Sequence, residues 1–301
     1  MKLNDIEQFK NKHKSDLFFD YNIKKLNWFN IGGKSRVFFK PRHLIELKEF
    51  LKLYSNRGKL FILGSGSNVL FKDNIYEGTI IKLSNNFSSI SILDKNKIIA
   101  GSSCSQKKVS EFAMQNNISG FEFMYCIPGT IGGGIKMNSG AFGSEFKDVL
   151  IDVKAINHDG EYKIFSNEDL KMEYRKIGLK DEWIFLSARF KTSTDSEKNI
   201  RDKMKKIILS RKSAQPIGVK TGGSTFKNPV GKKAWKLIDQ AGCRGWKNGD
   251  AMISEKHCNF IVNLKNANAH QIEELGQNVK QKVFENTGIK LNWEIERVGN
   301  R

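Results

Sequence analysis

Glycine in this chain is gathered into segments that few architectures can use. One is Asn30-Ile31-Gly32-Gly33, and a second is Leu63-Gly64-Ser65-Gly66-Ser67-Asn68-Val69-Leu70. The third, Ile127-Pro128-Gly129-Thr130-Ile131-Gly132-Gly133-Gly134, continues into Met137-Asn138-Ser139-Gly140-Ala141-Phe142-Gly143. Glycine lets backbone N–H groups turn towards a ligand and approach it closely, so a phosphate can be held without side-chain charge. A lone Gly-rich turn is ordinarily only a turn. Three in one chain, two of them after or within apolar stretches, point to a phosphate-bearing ligand. None is a Walker loop, because no Gly-Lys-Ser/Thr follows. The stretch Gly64-Ser65-Gly66-Ser67-Asn68-Val69 lacks the third glycine of a Rossmann fingerprint.

A further segment, Gly222-Gly223-Ser224-Thr225-Phe226-Lys227-Asn228-Pro229, exposes a serine on a backbone free to adopt unusual angles, with a cation and an amide close behind. It is not Gly-x-Ser-x-Gly, and no His/Asp pattern completes a hydrolase triad. Tyr174-Arg175 follows Glu173 in a polar stretch. Glu294 lies between Trp293 and Ile295, so strand alternation turns its carboxylate away from both. On residue pattern alone, a surface arginine and a solvated strand face remain open for these two.

The elements around these segments mix helix and strand. Helical spacing is expected over residues 43–56, with Leu44, Leu47, Leu51 and Tyr54 on one face, and over 106–117, 197–213 and 232–241. Asn268 starts a long helix with Gln271 as capping-box partner, and Gly288 ends it. Strands are expected at 59–63, 79–83, 149–156, 161–165, 183–190, 260–262 and 291–298, with a hairpin over 87–101 and a turn at His158-Asp159-Gly160. The first 30 residues read as polar and irregular.

With 301 residues, 39% of them hydrophobic, the chain can bury a real core. No apolar run approaches the roughly 20 residues of a membrane helix. The N-terminus has no apolar stretch of the signal-peptide kind, and the four cysteines make no CxxC pair and no zinc pattern with the five histidines. Reduced thiols in a cytoplasmic protein are expected, with no metal and no membrane partner. The formal charge of +19 attracts polyanions of any kind. Without a dense basic stripe or interleaved aromatics it argues little for a nucleic-acid partner.

Taken in order, these motifs resemble one family, the UDP-N-acetylenolpyruvoylglucosamine reductases, in its shorter subtype. Leu63–Leu70 followed by Asp73 looks like the first flavin loop. Pro128–Gly133 with Met137–Ala141 looks like the second. Gly223–Pro229 resembles the catalytic serine motif. Ser254–His257 with Asn259–Asn263 resembles the third-domain signature, and Glu294–Gly299 the C-terminal motif. The match runs from about Asn30 to Gly299. Three positions depart from the usual pattern: Ser65 where glycine is common, Glu296 where many relatives carry a base, and Lys176-Ile177-Gly178 where a serine commonly follows the arginine.

The resemblance implies an α+β chain, with the FAD-binding fold of vanillyl-alcohol oxidases in two lobes (1–85 and 86–195) and an α/β substrate-binding domain (196–301). It implies noncovalent FAD, since no histidine occurs in the loops, and NADPH as hydride donor to a UDP-sugar enolpyruvyl ether. FAD would meet Asn30, Ile31, Gly32, Gly64, Ser65, Gly66, Ser67, Asn68, Pro128, Gly129, Thr130, Gly132, Gly133, Asn138, Gly140 and Ala141. Ser224 would protonate carbon, Arg175 and Glu294 would stabilise the developing charge, and Tyr174, Lys227 and Asn228 would contact substrate. A nucleic-acid binder and a flavin oxidase of the same fold are the rival readings. The serine motif and the C-terminal Glu argue against the oxidase.

Overall fold

The N-terminal 30 residues, read from sequence as irregular, begin with a helix, Leu3–His13, and a strand, Leu17–Asn22. The helix forms because Ile6 and Phe9 are both buried, and the Phe9 ring meets Phe39 and Phe50 edge-on at 5.9 and 5.6 Å. The polar residues between them, Glu7 and Gln8, face solvent. Three apolar residues in eleven, Leu3, Ile6 and Phe9, give too weak a period to be read from sequence.

The computed structural model describes residues 3–54, 58–94, 97–180 and 182–299. These form two units. Unit 1 holds the described residues of Met1–Phe18, Val37–Ser65 and Gly78–Ser210, and unit 2 those of Phe19–Arg36, Gly66–Glu77 and Arg211–Arg301.

Unit 1 is built on an antiparallel five-stranded sheet in the order Tyr162–Ser166, Leu150–Ile156, Ile184–Lys191, Lys97–Gly101, Ile90–Asp94. The expected hairpin over 87–101 is present, although its residues 95–96 lie outside the described ones. At the predicted turn Gly160 takes φ +81°, and the Asn157 side chain accepts from the Asp159 and Glu161 amides. Val109 and Ala113 of helix Gln106–Gln115 and Ile131 and Ile135 of helix Ile131–Lys136 pack with Ile98, Val153, Ala188 and Phe190 of the sheet. Helix Leu44–Tyr54 buries Leu47, Leu51 and Tyr54 as expected, and also Glu46, whose carboxylate accepts from the Arg42 amide and the Ser15 hydroxyl. Asn56, the expected end of that helix, lies outside the described residues. Strand Lys59–Ile62 runs parallel to residues 78–81, with Ile62 opposite Ile81.

Unit 2 carries a four-stranded antiparallel sheet in the order Lys220–Ser224, Phe260–Asn263, Ala251–Ile253, Lys247–Asn248. Helices Ala234–Gln240 and Ala269–Thr287 close its core through Leu237, Ile238, Ile272, Leu275, Val279 and Val283. The long helix starts on the Asn268/Gln271 capping box and stops at Gly288, at φ +69°, as the sequence requires. The closing strand is shorter than expected. Only Glu296–Val298 forms a ladder, parallel to Val69–Phe71, because residues 291–295 turn towards a different partner. There Trp293 presses on the long helix so closely that a Cβ on Gly276 would lie 2.3 Å from its ring.

Candidate active site

Ser224 owes its position to a bulge. Thr221 pairs with Val262 and Ser224 with Phe260, so Gly222 and Gly223 together stand across from Ile261 alone. An extra residue in one strand bends it and re-aims the side chain that follows. Both glycines are required. A Cβ on Gly222 would lie 2.4 Å from the Phe29 ring, and Gly223 takes φ +82°. Beyond the serine, Asn259 locks the backbone: its Oδ1 accepts from the Phe226 amide at 3.0 Å and its Nδ2 donates to the Phe226 carbonyl at 2.8 Å. The Thr225 hydroxyl accepts from the Ile261 amide at 3.1 Å. Asn263 does similar work on Phe29, donating to its carbonyl at 2.8 Å. Sequence reading saw this signature without the role of its amides. Two asparagines bracketing the apolar run Phe260-Ile261-Val262 were the signal, since such a run buries them and buried amides need partners.

Glu294 is brought to the same place. Its amide donates to Thr225 O at 2.9 Å, Phe226 bridges Trp293, and the Lys227 amide donates to Asn292 O at 2.8 Å. Ile295 is buried, while Trp293 and Glu294 are both half-buried and precede the Glu296–Val298 strand. Asn68 clamps this segment, its Nδ2 donating to Glu294 O at 3.0 Å and its own carbonyl accepting from the Glu296 amide at 3.0 Å. The carbonyl of Ser67 lies 4.0 Å from where a Gly223 Cβ would stand. Ser67, Asn68, Ser224 and Glu294 therefore form one cluster in unit 2. Lys227 is half-buried beside it. Asn228 is exposed, and its Oδ1 accepts from the Ala234 amide at 2.9 Å at the start of helix Ala234–Gln240.

The Leu26–Gly33 segment lies against residues 66–74, its first residues at Gly66 and the Gly32-Gly33 end at 71–74. Gly66 takes φ +70°, and a Cβ there would be 2.1 Å from Leu26 O, while one on Gly33 would be 2.2 Å from Asp73 O. Asn30 takes φ +58°. The Ile31 side chain is part of the core of unit 2. Asp73 serves the long helix, where its carboxylate accepts from the Ala269 amide at 2.8 Å.

Unit 1 holds the remaining sequence-assigned residues. A Cβ on Gly64, which precedes Ser65, would meet Thr130 Oγ1 at 2.8 Å. Thr130 caps helix Ile131–Lys136 by accepting from the Gly133 amide at 3.2 Å, and the Gly129 carbonyl accepts from Gln106. The amides of Ile131, Gly132 and Gly134 donate to Cys104 O, Ser102 O and Thr130 O. Gly132 and Gly134 thus serve close packing, 3.1 Å from Ser102 Cβ and 2.5 Å from the Phe146 ring for an added Cβ. Buried Asn138 donates to Glu173 O at 3.1 Å and accepts from the Lys147 amide at 3.0 Å. Gly140-Ala141 pairs with Ser144-Glu145 across the turn Phe142-Gly143, at φ +53° and +86°. Tyr174-Arg175 forms the tip of a second tight turn closed by Glu173 and Lys176. The Arg175 guanidinium donates to Gly140 O at 3.2 Å and Asn138 O at 3.5 Å, with the Tyr174 ring 4.8 Å from it.

Burial raises the Cys258 thiol and pushes that of Cys243 up to about 11, which disfavours the thiolate at both. Among the described residues no cluster of three or more His, Cys, Asp or Glu could hold a metal ion.

Comparison with known proteins agrees with this geometry. A family model described as an FAD binding domain matches residues 35–166. One described as the C-terminal domain of UDP-N-acetylenolpyruvoylglucosamine reductase matches residues 215–298. The UDP-N-acetylenolpyruvoylglucosamine reductases of Rickettsia typhi and Rickettsia prowazekii are each 48% identical over 280 residues, covering 93% of this chain and 95% of theirs. The chain belongs to the UDP-N-acetylenolpyruvoylglucosamine reductase family. A crystal structure of such a reductase, MurB from Thermus caldophilus, superposes with a TM-score of 0.82 at 30% identity, covering 94% of this chain and 98% of that one. As a family member, the chain is an α+β flavin reductase of peptidoglycan precursor synthesis, with FAD as its cofactor. The residues present fit that group. Asn27 Oδ1 in unit 2, beside the Asn30–Gly33 turn, is buried without a hydrogen-bond partner, as is Ser102 Oγ in unit 1, against Gly132. Such orphaned polar atoms are rare in a native fold and fit places where a polar ligand adjoins the chain.

Proposed function

We propose that the chain takes its hydride from NADPH and delivers it to the enol ether of UDP-N-acetylenolpyruvoylglucosamine, with Ser224 as the proton donor to carbon. When bound, FAD supplies the hydride relay between the two. The residues do the rest. Negative charge develops on the carbon beside the one that accepts hydride and spreads into the substrate carboxylate. Preorganised donors stabilise such charge, each by about 3 to 4 kcal/mol of barrier. Glu294, held by Asn68 beside the serine, is one donor, acting as a protonated or shared-proton group. The resemblance assigns Arg175 as another. The Ser224 hydroxyl then gives its proton to that carbon, leaving the lactyl ether. A serine hydroxyl is a weak acid, so it suits only a strongly basic, carbanion-like centre. Lys227, Asn228 and Tyr174 hold the pyrophosphate or enolpyruvyl group. Among the described residues no helix is long and apolar enough to cross a membrane, and cytoplasmic work on soluble substrates suits this reading.

The bulge that singles out Ser224 beside the Glu294 segment carries the proposal. Its test is Ser224→Ala. Flavin reduction by NADPH should stay near wild type, while oxidation of the reduced flavin by substrate should slow by at least about 10²-fold, the lower range for a lost general acid. If both half-reactions stay near wild type, Ser224 is not the donor.

A further inference from the structure

Trp28 stands apart from the other tryptophans. Trp183, Trp246 and Trp293 pack against the two cores, and the Trp235 ring is tilted against His257 with Lys236 over it. Trp28 is 46% exposed and belongs to neither core. Its indole makes no ring contact, cation contact or hydrogen bond among the described residues.

Its backbone is nevertheless held firmly. The Trp28 amide donates to Gly66 O at 3.0 Å, in the middle of the Gly-Ser-Gly-Ser loop. Gly66 can take no side chain, because Leu26 O and Asn27 Cα fill that space. Asn27, just before, is buried and donates to Ile31 O at 2.6 Å. Phe29, just after, is fully buried, and its carbonyl accepts from Asn263. The indole is therefore a large, half-exposed flat face whose backbone root is tied to a loop assigned to FAD. The second observation is Asn27 Oδ1, buried without a partner one residue away.

A rigid aromatic face can bind a planar ring at little ordering cost, because Trp has only two side-chain torsions to fix. Singly exposed hydrophobic residues are common on protein surfaces. A tryptophan pinned by backbone bonds to the phosphate-loop region, with an orphaned amide oxygen beside it, has a more specific use. We propose that Trp28 is a stacking platform for a planar ring of the bound flavin dinucleotide, and so a positioning residue for the cofactor. The inference rests on the assignment of FAD to these loops.

The experiment titrates FAD and, separately, FMN into deflavinated wild type, W28F and W28A, reading tryptophan fluorescence and flavin absorbance. FAD should quench wild-type fluorescence more than that of W28F, the difference being the signal of Trp28 itself. W28A should bind FAD about tenfold more weakly, within the range of a lost base-on-aromatic stack, and W28F should bind close to wild type. If W28A weakens FAD but not FMN, the ring is adenine. If it weakens both alike, the ring is isoalloxazine. Equal FAD affinity in wild type and W28A, with equal quenching in wild type and W28F, overturns the inference while leaving the cofactor assignment intact. Wild type that binds no FAD would defeat the assignment itself. Thermal unfolding of W28A, expected within a few degrees of wild type because the side chain is half-exposed, separates lost stacking from a lost fold.

Discussion

The amide of Glu294 donates to the carbonyl of Thr225 at 2.9 Å, so the carboxylate and Ser224 are set by the register of one short strand pairing. That register depends on the Gly222-Gly223 bulge upstream. Gly222→Ala should disturb both residues at once, because its Cβ would press on the Phe29 ring at 2.4 Å and on Ile295 Cδ1 at 3.2 Å. We expect a loss of about 1–3 kcal/mol, the usual cost of overpacking. The substrate-dependent half-reaction should slow more than flavin reduction does. Denaturant melts and stopped-flow absorbance check the two parts. A variant with wild-type stability would show that the Phe29 ring moves aside freely.

Asp73 offers a separation of motif from role. Sequence resemblance places it with the first flavin loop, yet its carboxylate accepts from the Ala269 amide at the start of the long helix. Asp73→Ala should cost about 0.5–2 kcal/mol, as for a lost helix cap, and leave the FAD dissociation constant near wild type. Flavin titration beside a thermal melt decides it. A large rise in that constant with an unchanged melting temperature would return Asp73 to the cofactor.

Stability should fall on mild acidification. Burial holds His257 below its ordinary value of 6.5, with a smaller push from Arg244, and burial does the same to His158. A folded-state value below the unfolded one means that the unfolded chain takes up the proton first. The contribution of the neutral ring is thus complete above 6.5 and is lost as pH falls from there towards the folded value. Protonation also removes the Nδ1 acceptor of His257 for the Asn259 amide, at 3.3 Å, next to the residue that locks Phe226. Urea midpoints measured from pH 7.5 to 5 should drop in wild type and less in H257Q. H158Q added to it should flatten the curve further. Parallel curves for all three would remove the histidines as the cause.

Where the signal is local, sequence and structure agree. Asn268, Gln271 and Gly288 bound the long helix because capping chemistry needs only neighbours, and the turn at Gly160 is readable for the same reason. The features that build the site are not local. Asp73 and Ala269 are 196 residues apart, and Asn68 and Glu294 are 226 apart, so no periodicity announces either bond. The Gly222-Gly223 bulge exists only relative to Ile261 in the partner strand, and a Gly-Gly pair alone reads as a turn. Helix Leu3–His13 was missed because Ile6 and Phe9 are its only described apolar anchors, and their partners, Phe39 and Phe50, lie far along the chain. Glu294 stands out in sequence as a carboxylate between two apolar residues, but its tie to Asn68 does not.

Arg175 closes the set, because its guanidinium does two things at once. It donates to Gly140 O at 3.2 Å and to Asn138 O at 3.5 Å, binding its own turn to the second Gly-rich loop. It also sits 4.8 Å from the Tyr174 ring at φ +56°, a backbone conformation that a non-glycine residue adopts only when its surroundings hold it there. Arg175→Lys keeps the charge but not the planar fork, and one ammonium is a poor replacement for two directed N–H donors. Loss of a hydrogen bond to a charged group costs about 1.5–3 kcal/mol, so oxidation of the reduced flavin by substrate should slow roughly 10- to 100-fold in R175K. Reduction by NADPH should change little, and R175A should be slower than R175K in the substrate step. Equal rates in R175K and wild type, with a loss only in R175A, would mean that charge alone suffices. Wild-type rates in both variants, with a lowered melting temperature, would make Arg175 a strap for the loop and nothing more.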